Sequence, residues 1–255
     1  MVRPIKNAVV ILQWGNKIFT AKTASDGFFK FEWEHDEELL PGQYEVEAML
    51  IKRNSNNIVK AKATGKIIMP STTDFSFISD IDDTFLISYS SNLRKRLFVL
   101  LTENAKSRQP FEGAVKHYRM LHGIEDSDPS NNAFFYVSSS EWNLYDYIKD
   151  FLEENKLPDG ICLLNQIKTF SKLFATGQNN HSGKFTRIVK IIEAYPHQKF
   201  ILLGDDSQKD IDIYNSIVEH FPQNVYCVYI RRVGTPENPH VLLQQKSIVL
   251  LFCTQ

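Results

Sequence analysis

Short segments rich in apolar residues follow one another over the first 72 residues of the chain, and each predicts a strand. They lie at residues 8–13, 17–21, 28–33, 44–50 and 58–69, and apolar and polar residues alternate at residues 28–33 and 44–50. The dipeptides Asp26-Gly27 and Pro41-Gly42 precede two of them and are typical of turns. Because short strands follow one another with no helix between them, we predict a small β-sandwich-like module over residues 1–72.

From residue 73 onwards, apolar strand patterns alternate with helical patterns. Strands are predicted at residues 74–79, 133–137, 161–164, 200–203 and 225–230, and helices at residues 93–105, 112–121, 142–152, 185–195 and 213–221. Strands that alternate with helices form parallel sheets, because each helix carries the chain back across the sheet. We therefore predict an α/β domain over residues 73–255, with a doubly wound parallel sheet and helices on both faces.

Composition and charge narrow the class of protein. The 29 Lys and Arg residues nearly balance the 30 Asp and Glu residues, so the formal net charge is -1 and we expect no nucleic-acid partner. The three cysteines are widely spaced, which excludes a disulfide scaffold and a cysteine-rich zinc site. No apolar segment is long enough for a signal-peptide core or a bilayer span. We therefore expect a cytoplasmic protein without a transmembrane segment, and leave peripheral contact with a membrane open.

Acidic residues follow the first predicted strand of the second part. Asp80, Asp82 and Asp83 place three carboxylates within four residues. These charges repel one another at the end of a strand, and Mg²⁺, a hard cation that prefers oxygen ligands, would neutralise them most simply. An acidic loop or a helix N-cap is the structural alternative. A calcium loop is excluded, because Phe85 and Ser91 stand where that loop requires Gly and Glu.

A second acidic turn follows the strand predicted at residues 200–203. Here Gly204 is followed by Asp205 and Asp206, and Asp210 comes shortly afterwards. Ligands of parallel sheets bind beyond the carboxyl ends of the strands, so two acidic turns after two parallel strands meet at one edge. The two turns together predict one Mg²⁺ site that they share.

Hydroxyl groups follow the strand predicted at residues 133–137. Ser138 and Ser139 come directly after it, and Ser138 with Glu141 matches a capping box for the next helix. A hydroxyl and free backbone N–H groups at a helix N-terminus would also form an anion site. The two interpretations are compatible, because both require the same local geometry.

A lysine opens the helix that precedes the strand at residues 200–203. Taken by itself, Lys184 is predicted to be a solvated surface residue, which is the usual case for a lysine. The pair Gly183-Lys184 does not belong to a phosphate-binding P-loop, because that motif requires Ser or Thr after the lysine and Phe185 stands there. The role of Lys184 therefore depends on the residues that surround it in the fold.

In chain order, these positions resemble the four sequence signatures of the haloacid dehalogenase (HAD) superfamily. They are Asp80-x-Asp82-x-Thr84, Ser138 at the end of an apolar strand, Lys184, and Gly204-Asp205-x-x-x-x-Asp210. Flanking segments resemble more narrowly the catalytic domain of the actin-patch-protein type of phosphatidate phosphatase. These segments lie at residues 79–84, 111–113, 136–145, 200–214 and 229–231, so the resemblance covers roughly residues 74–232.

The resemblance implies a Mg²⁺-dependent phosphatase. Asp80 would be the nucleophile that forms an aspartyl-phosphate, and Asp82 would be the general acid and base. The implied phosphate ligands are Thr84, Ser138, Ser139 and Lys184. The implied metal ligands are Asp80, Asp82, Asp205 and Asp210, with Asp206 as a substitute for either of the last two.

Three functions are consistent with these residues. The resemblance implies phosphatidate as the substrate, and a soluble phosphomonoester is the alternative, because a catalytic core does not determine the leaving group. A binding protein without turnover is the third, and it is disfavoured because Asp80 and Asp82 are both present.

One segment bears on the choice of a lipid substrate. The basic stretch Arg94-Lys95-Arg96 precedes apolar residues 97–101 and would suit an anionic bilayer. The alternative is a helix that covers the active site and whose charges are simply solvated.

Overall fold

The structure, a computed structural model, describes residues 4–34, 39–52, 58–70, 75–81, 112–123, 132–165, 180–206 and 210–231. Several predicted features lie outside the described residues, namely Asp82, Asp83, Thr84, the basic stretch at residues 94–96 and the helix at residues 93–105. The chain divides into two compact units, Met1–Pro70 and Ser71–Gln255.

The first unit contains a four-stranded antiparallel sheet with the strand order β2-β1-β3-β4. Its strands are β1 (Val9–Trp14), β2 (Lys17–Lys22), β3 (Gly42–Lys52) and β4 (Ile58–Met69). The first two form the predicted hairpin, in which Trp14 pairs with Lys17 and Gly15 adopts a φ of 56° that favours glycine. These four strands confirm the corresponding predictions.

The segment at residues 28–33 is not a strand, so this prediction is wrong. Its backbone is irregular, while the Trp33 ring stacks on Phe19 with centroids 4.4 Å apart and meets Trp14 edge-on at 5.3 Å. Large aromatic rings can bury their area whether or not their own backbone pairs in a sheet. Here the ring of Trp33 packs on residues of β1 and β2. Among the described residues of this unit there is one sheet, which replaces the expected sandwich-like arrangement.

The second unit contains a five-stranded sheet in which every neighbouring pair is parallel. Its strands are β5 (Phe75–Asp80), β6 (Phe134–Glu141), β7 (Ile161–Asn165), β8 (Lys199–Asp205) and β9 (Val225–Arg231). The strand order is β7-β6-β5-β8-β9. The predicted α/β class with a parallel sheet is therefore confirmed.

Four α-helices connect these strands in the described part of the unit. They are α1 (Glu112–His122), α2 (Tyr145–Glu154), α3 (Asn180–Ala194) and α4 (Asp210–His220), and a 3₁₀ turn at Trp142–Leu144 precedes α2. Each agrees in position with a predicted helix. Their amphipathic patterns bury one apolar stripe each against the sheet.

Both faces of the parallel sheet are buried. On one face, Phe77 and Phe134 belong to an apolar cluster with residues of α1 and α2, such as Tyr118 and Phe151. Neighbouring strand residues point to opposite faces, and Phe135 on the other face is also buried, with its ring 5.8 Å from the ring of Tyr195, just past α3. Helices α3 and α4 contact β6 and β8.

Candidate active site

The strand order creates a switch point beside β5, the central strand. From β5 the chain adds β6 and β7 on one side, and then β8 and β9 on the other. Connections that leave in opposite directions open a crevice at the carboxyl ends of the central strands. Asp80 ends β5 and Asp205 ends β8, and these residues are 1% and 0% exposed. Both acidic turns predicted from the sequence therefore begin at this edge.

The ammonium group of Lys184 lies between two buried carboxylates. Its Nζ is 2.7 Å from Asp80 Oδ1 and donates a hydrogen bond of 2.5 Å to Asp210 Oδ1. Lys184 lies on α3 and Asp210 is the first residue of α4, so three separate elements meet here. All three residues are buried. We refer to Asp80, Lys184 and Asp210 as the lysine cluster, and the structure brings these three predicted site residues into direct contact.

The carboxylates determine the charge state of the lysine. Burial alone would lower the pKa of Lys184, because it disfavours the charged amine. The charges of Asp80 and Asp210, with hydrogen bonds to both, outweigh burial and raise the pKa above its ordinary value. Lys184 is therefore an ammonium ion at neutral pH. Asp205, at the end of β8, is a third buried acidic residue at this edge of the sheet.

Carboxylate oxygens, the ligand type that a hard divalent cation prefers, lie at this edge of the sheet. Asp80, Asp205 and Asp210 supply carboxylate oxygens, and Asp210 Oδ2 is buried without a hydrogen-bond partner among the described residues. Within the described ranges, no three His, Cys, Asp or Glu residues are grouped so that they could hold a metal ion. A complete ligand set would need Asp82, which lies outside the described residues.

Two side chains hold the main chain at Ser138 and Ser139. Arg187 Nη1 donates to the Ser138 carbonyl at 3.4 Å, and Asn165 Nδ2 donates to the Ser139 carbonyl at 2.6 Å. Arg187 Nη2 also donates to Asn165 Oδ1. Ser138 is buried and Ser139 is partly buried. Because Arg187 stands one helical turn after Lys184, the segment is connected to the helix that carries the lysine cluster.

The capping box predicted from Ser138 and Glu141 is not formed. Strand β6 continues to Glu141, and α2 begins only at Tyr145 after the 3₁₀ turn. Leu144 occupies the N-cap position and makes no side-chain cap hydrogen bond. The hydrogen bonds to the carbonyls of residues 138 and 139 hold this segment in the extended strand. Ser138 therefore does not lie at a helix N-terminus.

The remaining predicted residues are not part of the lysine cluster. Asp206 is exposed, and its backbone N–H donates to the Arg231 carbonyl at 3.1 Å. Its side chain therefore does not enter the buried cluster. Asp82 and Thr84 lie outside the described residues, so their predicted roles stay predictions.

A hydroxyl pair beside Asp80 was not predicted from the sequence. The hydroxyl groups of Tyr118 and Ser79 are 2.7 Å apart, and Ser79 Oγ donates to the Asp80 carbonyl at 2.7 Å. Tyr118 lies on α1 and is 2% exposed. A tyrosine on the apolar face of a helix usually indicates simple burial, so the sequence carries no signal for this contact.

Gly204 is required by its neighbours, although its backbone is not unusual. A β-carbon at this position would lie 2.7 Å from Tyr214 Cε2 and 3.0 Å from Asp210 Oδ2. The Tyr214 hydroxyl donates to the Leu203 carbonyl at 2.8 Å, which fixes the ring in place. The glycine therefore allows α4 to approach the end of β8 and brings Asp210 to the site. The glycine of the acidic turn was part of the predicted motif, and Tyr214 was not.

The region of the chain that contains this site is similar in sequence to known proteins. Residues 75–232 match the family model described as "Phosphatidate phosphatase APP1, catalytic domain". The phosphatidate phosphatase APP1 of Saccharomyces cerevisiae is 30% identical over 154 residues, which are 60% of this chain and 25% of that protein. The uncharacterized protein C29B5.04c of Schizosaccharomyces pombe is 22% identical over 223 residues, 84% of this chain and 34% of that protein.

The matched region contains every described residue of the site, from Asp80 to Asp210. The chain spans only about a quarter to a third of the length of the two fungal relatives. In the described part of the chain, no helix has the length and apolar character needed to cross a membrane.

Proposed function

Because the chain belongs to the family of the phosphatidate phosphatase APP1 catalytic domain, we propose that it hydrolyses phosphatidate to diacylglycerol and inorganic phosphate. Membership in this family confirms the narrower resemblance, to the phosphatidate phosphatase catalytic domain, and the class of phosphatase hydrolase. The observation that carries the proposal is the lysine cluster, which lies at the switch point and within the matched residues.

The proposal includes a HAD-like catalytic domain over residues 73–255. Two features support it. The parallel sheet has its switch point at β5, and signature residues Asp80, Lys184, Asp205 and Asp210 gather at or beside one edge of that sheet. In this proposal the antiparallel unit is an accessory module.

In the first half of the reaction, a carboxylate oxygen of Asp80 would attack the phosphorus atom. A bond forms between this oxygen and phosphorus while the bond from phosphorus to the glycerol oxygen breaks, which gives an aspartyl-phosphate and an alcohol. Asp82 would donate the proton that the leaving oxygen needs. Lys184 Nζ lies 2.7 Å from Asp80 Oδ1, and this ion pair limits rotation of the Asp80 carboxyl group.

In the second half, water would hydrolyse the aspartyl-phosphate. Asp82, now a carboxylate, takes a proton from the water as its oxygen bonds to phosphorus, and the bond to Asp80 breaks. Inorganic phosphate leaves and both aspartates return to their starting states. The two steps divide one difficult displacement into two easier ones.

Phosphate recognition would rest on Lys184, Ser138, Ser139 and Thr84. An ammonium group has three N–H donors, and the contacts with Asp80 and Asp210 use two of them. The third can donate to a phosphoryl oxygen and offset charge that develops in the transition state. The hydrogen bond from Arg187 to the Ser138 carbonyl would keep the hydroxyl group of Ser138 near the same edge of the sheet.

The proposed cofactor is Mg²⁺, held by Asp80, Asp82, Asp205 and Asp210. A phosphate dianion that binds beside the buried acidic residues Asp80, Asp205 and Asp210 would be favoured by positive charge in addition to that of Lys184. Bound Mg²⁺ would supply that charge and orient the phosphate oxygens. The exposed position of Asp206 gives it the weakest case as a ligand.

The substrate is the part of the proposal that rests on the family alone. A soluble phosphomonoester would use the same residues, because the leaving group does not touch the lysine cluster in this mechanism. The basic stretch at residues 94–96 would favour the lipid if it contacts an anionic surface. The test must therefore compare both classes of substrate.

The test measures phosphate release by the full chain with Mg²⁺ and with a chelator. Substrates are short-chain phosphatidate in micelles and a panel of soluble phosphomonoesters. Asp80→Asn removes the nucleophile, and Asp212→Asn, an exposed residue of α4, is the matched control. Hydroxylamine present during turnover would convert an aspartyl-phosphate at Asp80 to a hydroxamate, which peptide mass spectrometry identifies.

We expect Mg²⁺-dependent release from phosphatidate, lost in Asp80→Asn and kept in Asp212→Asn, with the hydroxamate on Asp80. Release only from a soluble ester would keep the mechanism and reject the lipid. Folded protein that hydrolyses no substrate would reject the enzyme and favour a binding protein. Activity without the hydroxamate, or in the presence of chelator, would reject the covalent step or the metal.

A further inference from the structure

We propose that Tyr118 and Ser79 are positioning residues that hold the main chain of Asp80 in place for the reaction. The inference deepens the proposed function and rests on it, since Asp80 is the proposed nucleophile. Neither residue is among the predicted catalytic, phosphate-binding or metal-binding residues, although Ser79 lies in the segment at residues 79–84 that resembles the family. Both are buried. Their role would be to act through Asp80, without touching the substrate.

The direction of the hydrogen bonds is determined by the geometry. Ser79 has one hydroxyl proton, which it donates to the Asp80 carbonyl at 2.7 Å. The hydroxyl of Tyr118, 2.7 Å from Ser79 Oγ, must therefore be the donor in that pair. The result is a chain of two hydrogen bonds from α1 to the last carbonyl of β5.

These two hydrogen bonds reach β5 at the point where its pairing with the neighbouring strands ends. Pairing of β5 with β8 ends at Ser79, which is opposite Leu203, and pairing with β6 ends at Asp80, which is opposite Val137. A residue at the last rung of a ladder has less restraint than one within it. The serine and tyrosine hydroxyls supply restraint at this point, directly beside the nucleophile.

Tyr118 can act as a donor throughout the physiological pH range. Burial raises the pKa of Tyr118 well above its ordinary value, and the charge of Asp80 acts in the same direction. The hydroxyl proton is therefore retained, and the chain of hydrogen bonds does not depend on titration near neutral pH.

Restraint of the backbone matters because the attack must be in line. A nucleophile reacts from a distance of about 3–3.5 Å, and a displacement of about 1 Å can reduce the rate roughly a hundredfold. Lys184 holds the carboxylate of Asp80, and Ser79 holds its carbonyl. The two contacts together fix the side chain and the backbone of the same residue.

The protein contains a matched control residue for Tyr118 and another for Ser79. Tyr136 is buried in the same apolar cluster as Tyr118, but its hydroxyl donates to the Pro158 carbonyl at 2.8 Å, just before β7 begins. Ser76 lies on β5 like Ser79 and is equally buried, but among the described residues its hydroxyl has no hydrogen-bond partner. Tyr118→Phe is therefore compared with Tyr136→Phe, and Ser79→Ala with Ser76→Ala.

Each variant of the full chain is measured in three ways. These are kcat and KM on the substrate that the wild type hydrolyses, the midpoint of urea unfolding, and hydrogen exchange of the peptide covering residues 75–81. We expect Tyr118→Phe and Ser79→Ala to lower kcat roughly tenfold with KM within about twofold, because positioning acts on the reaction step. Exchange at the end of β5 should accelerate in these two variants. The double variant should lose little more, because both hydroxyls belong to one chain.

The controls should lose stability without these effects. If Tyr136→Phe lowers kcat as much as Tyr118→Phe at a similar loss of stability, the positioning role is overturned. Faster exchange with unchanged kcat also overturns it. If the wild type hydrolyses no substrate, the proposed function fails separately; exchange then decides whether the hydroxyl chain anchors Asp80, and unaltered exchange rejects that anchoring.

Discussion

At the scale of single residues, the defining feature is a lysine buried between carboxylates. Lys184 is 2% exposed and contacts Asp80 and Asp210, both of which are also buried. Removing charges from water is costly, and their mutual attraction compensates only when the geometry and hydrogen bonds are good. A buried ion pair of this kind is therefore weak evidence that it stabilises the fold, and better evidence that the residues belong to a functional site.

Lys184→Met tests this interpretation. The substitution keeps the apolar length of the side chain and leaves two buried carboxylates without their counter-charge. We expect unfolding to become easier by about 3–5 kcal/mol, and phosphatase activity to be lost. Urea unfolding and phosphate release measure the two effects.

A second substitution separates charge from structure. Adding Asp210→Asn to Lys184→Met removes one of the unpaired carboxylates, so part of the lost stability should return while activity should not. A Lys184→Met variant that keeps both the stability and the activity of the wild type would contradict the role of the cluster.

At the scale of elements, a single threonine closes the start of the antiparallel sheet. Thr23 Oγ1 accepts a hydrogen bond from the Ala8 N–H at 2.8 Å and donates to the Ile5 carbonyl at 2.6 Å. The main chains of Thr23 and Ala8 are also joined by a hydrogen bond of 2.9 Å. Thr23 is 5% exposed, so water cannot easily replace these contacts.

Thr23→Val should loosen the hairpin of β1 and β2. Valine has the same shape, but it leaves the Ala8 N–H and the Ile5 carbonyl without their partner, which costs roughly 1–3 kcal/mol. We expect faster hydrogen exchange in β1 and β2, measured on peptides from this unit. Thr20→Val, at an exposed position of β2, should change stability by no more than about 0.5 kcal/mol. Equal effects of the two substitutions would show that the hydroxyl of Thr23 contributes nothing.

At the scale of the whole molecule, partly buried histidines make stability depend on pH. Burial lowers the pKa of His117 and of His122, and for His122 the charge of Asp159 opposes this effect. The folded protein therefore binds fewer protons here than the unfolded chain does. Stability from these groups is fully present above the unfolded pKa of 6.5 and is lost as the pH falls below it.

His117→Phe tests this dependence. The ring of His117 packs edge-on against Tyr229 with centroids 5.0 Å apart, and phenylalanine keeps a ring there without a titrating group. We expect the free energy of unfolding of the wild type to fall between pH 7.5 and about pH 5, and to fall less in the variant. Parallel slopes for wild type and His117→Phe would rule out the contribution.

Much of the second unit could be predicted from the sequence, because its strands are short apolar runs bounded by turns. For β8, residues 200–203 were predicted and Lys199–Asp205 is observed. The strand prediction at residues 28–33 was wrong because alternating aromatic residues are found in segments that pack on a sheet as well as in strands that pair within one. The prediction of a capping box was wrong because β6 continues past its predicted end. There Arg187 and Asn165, which are far from Ser138 in sequence, donate hydrogen bonds to the carbonyls of Ser138 and Ser139.

The succession of strands and helices along the chain, and the carboxylates at strand ends, could be predicted from the sequence. Periodicity and turn chemistry are properties of neighbouring residues, so both can be recognised locally. The position of Lys184 between Asp80 and Asp210, and the contact of Tyr118 with Ser79, could be found only from the folded structure. Those contacts depend on strand order and on helices that pack over the strand ends, and buried polar groups then select the partners that satisfy them.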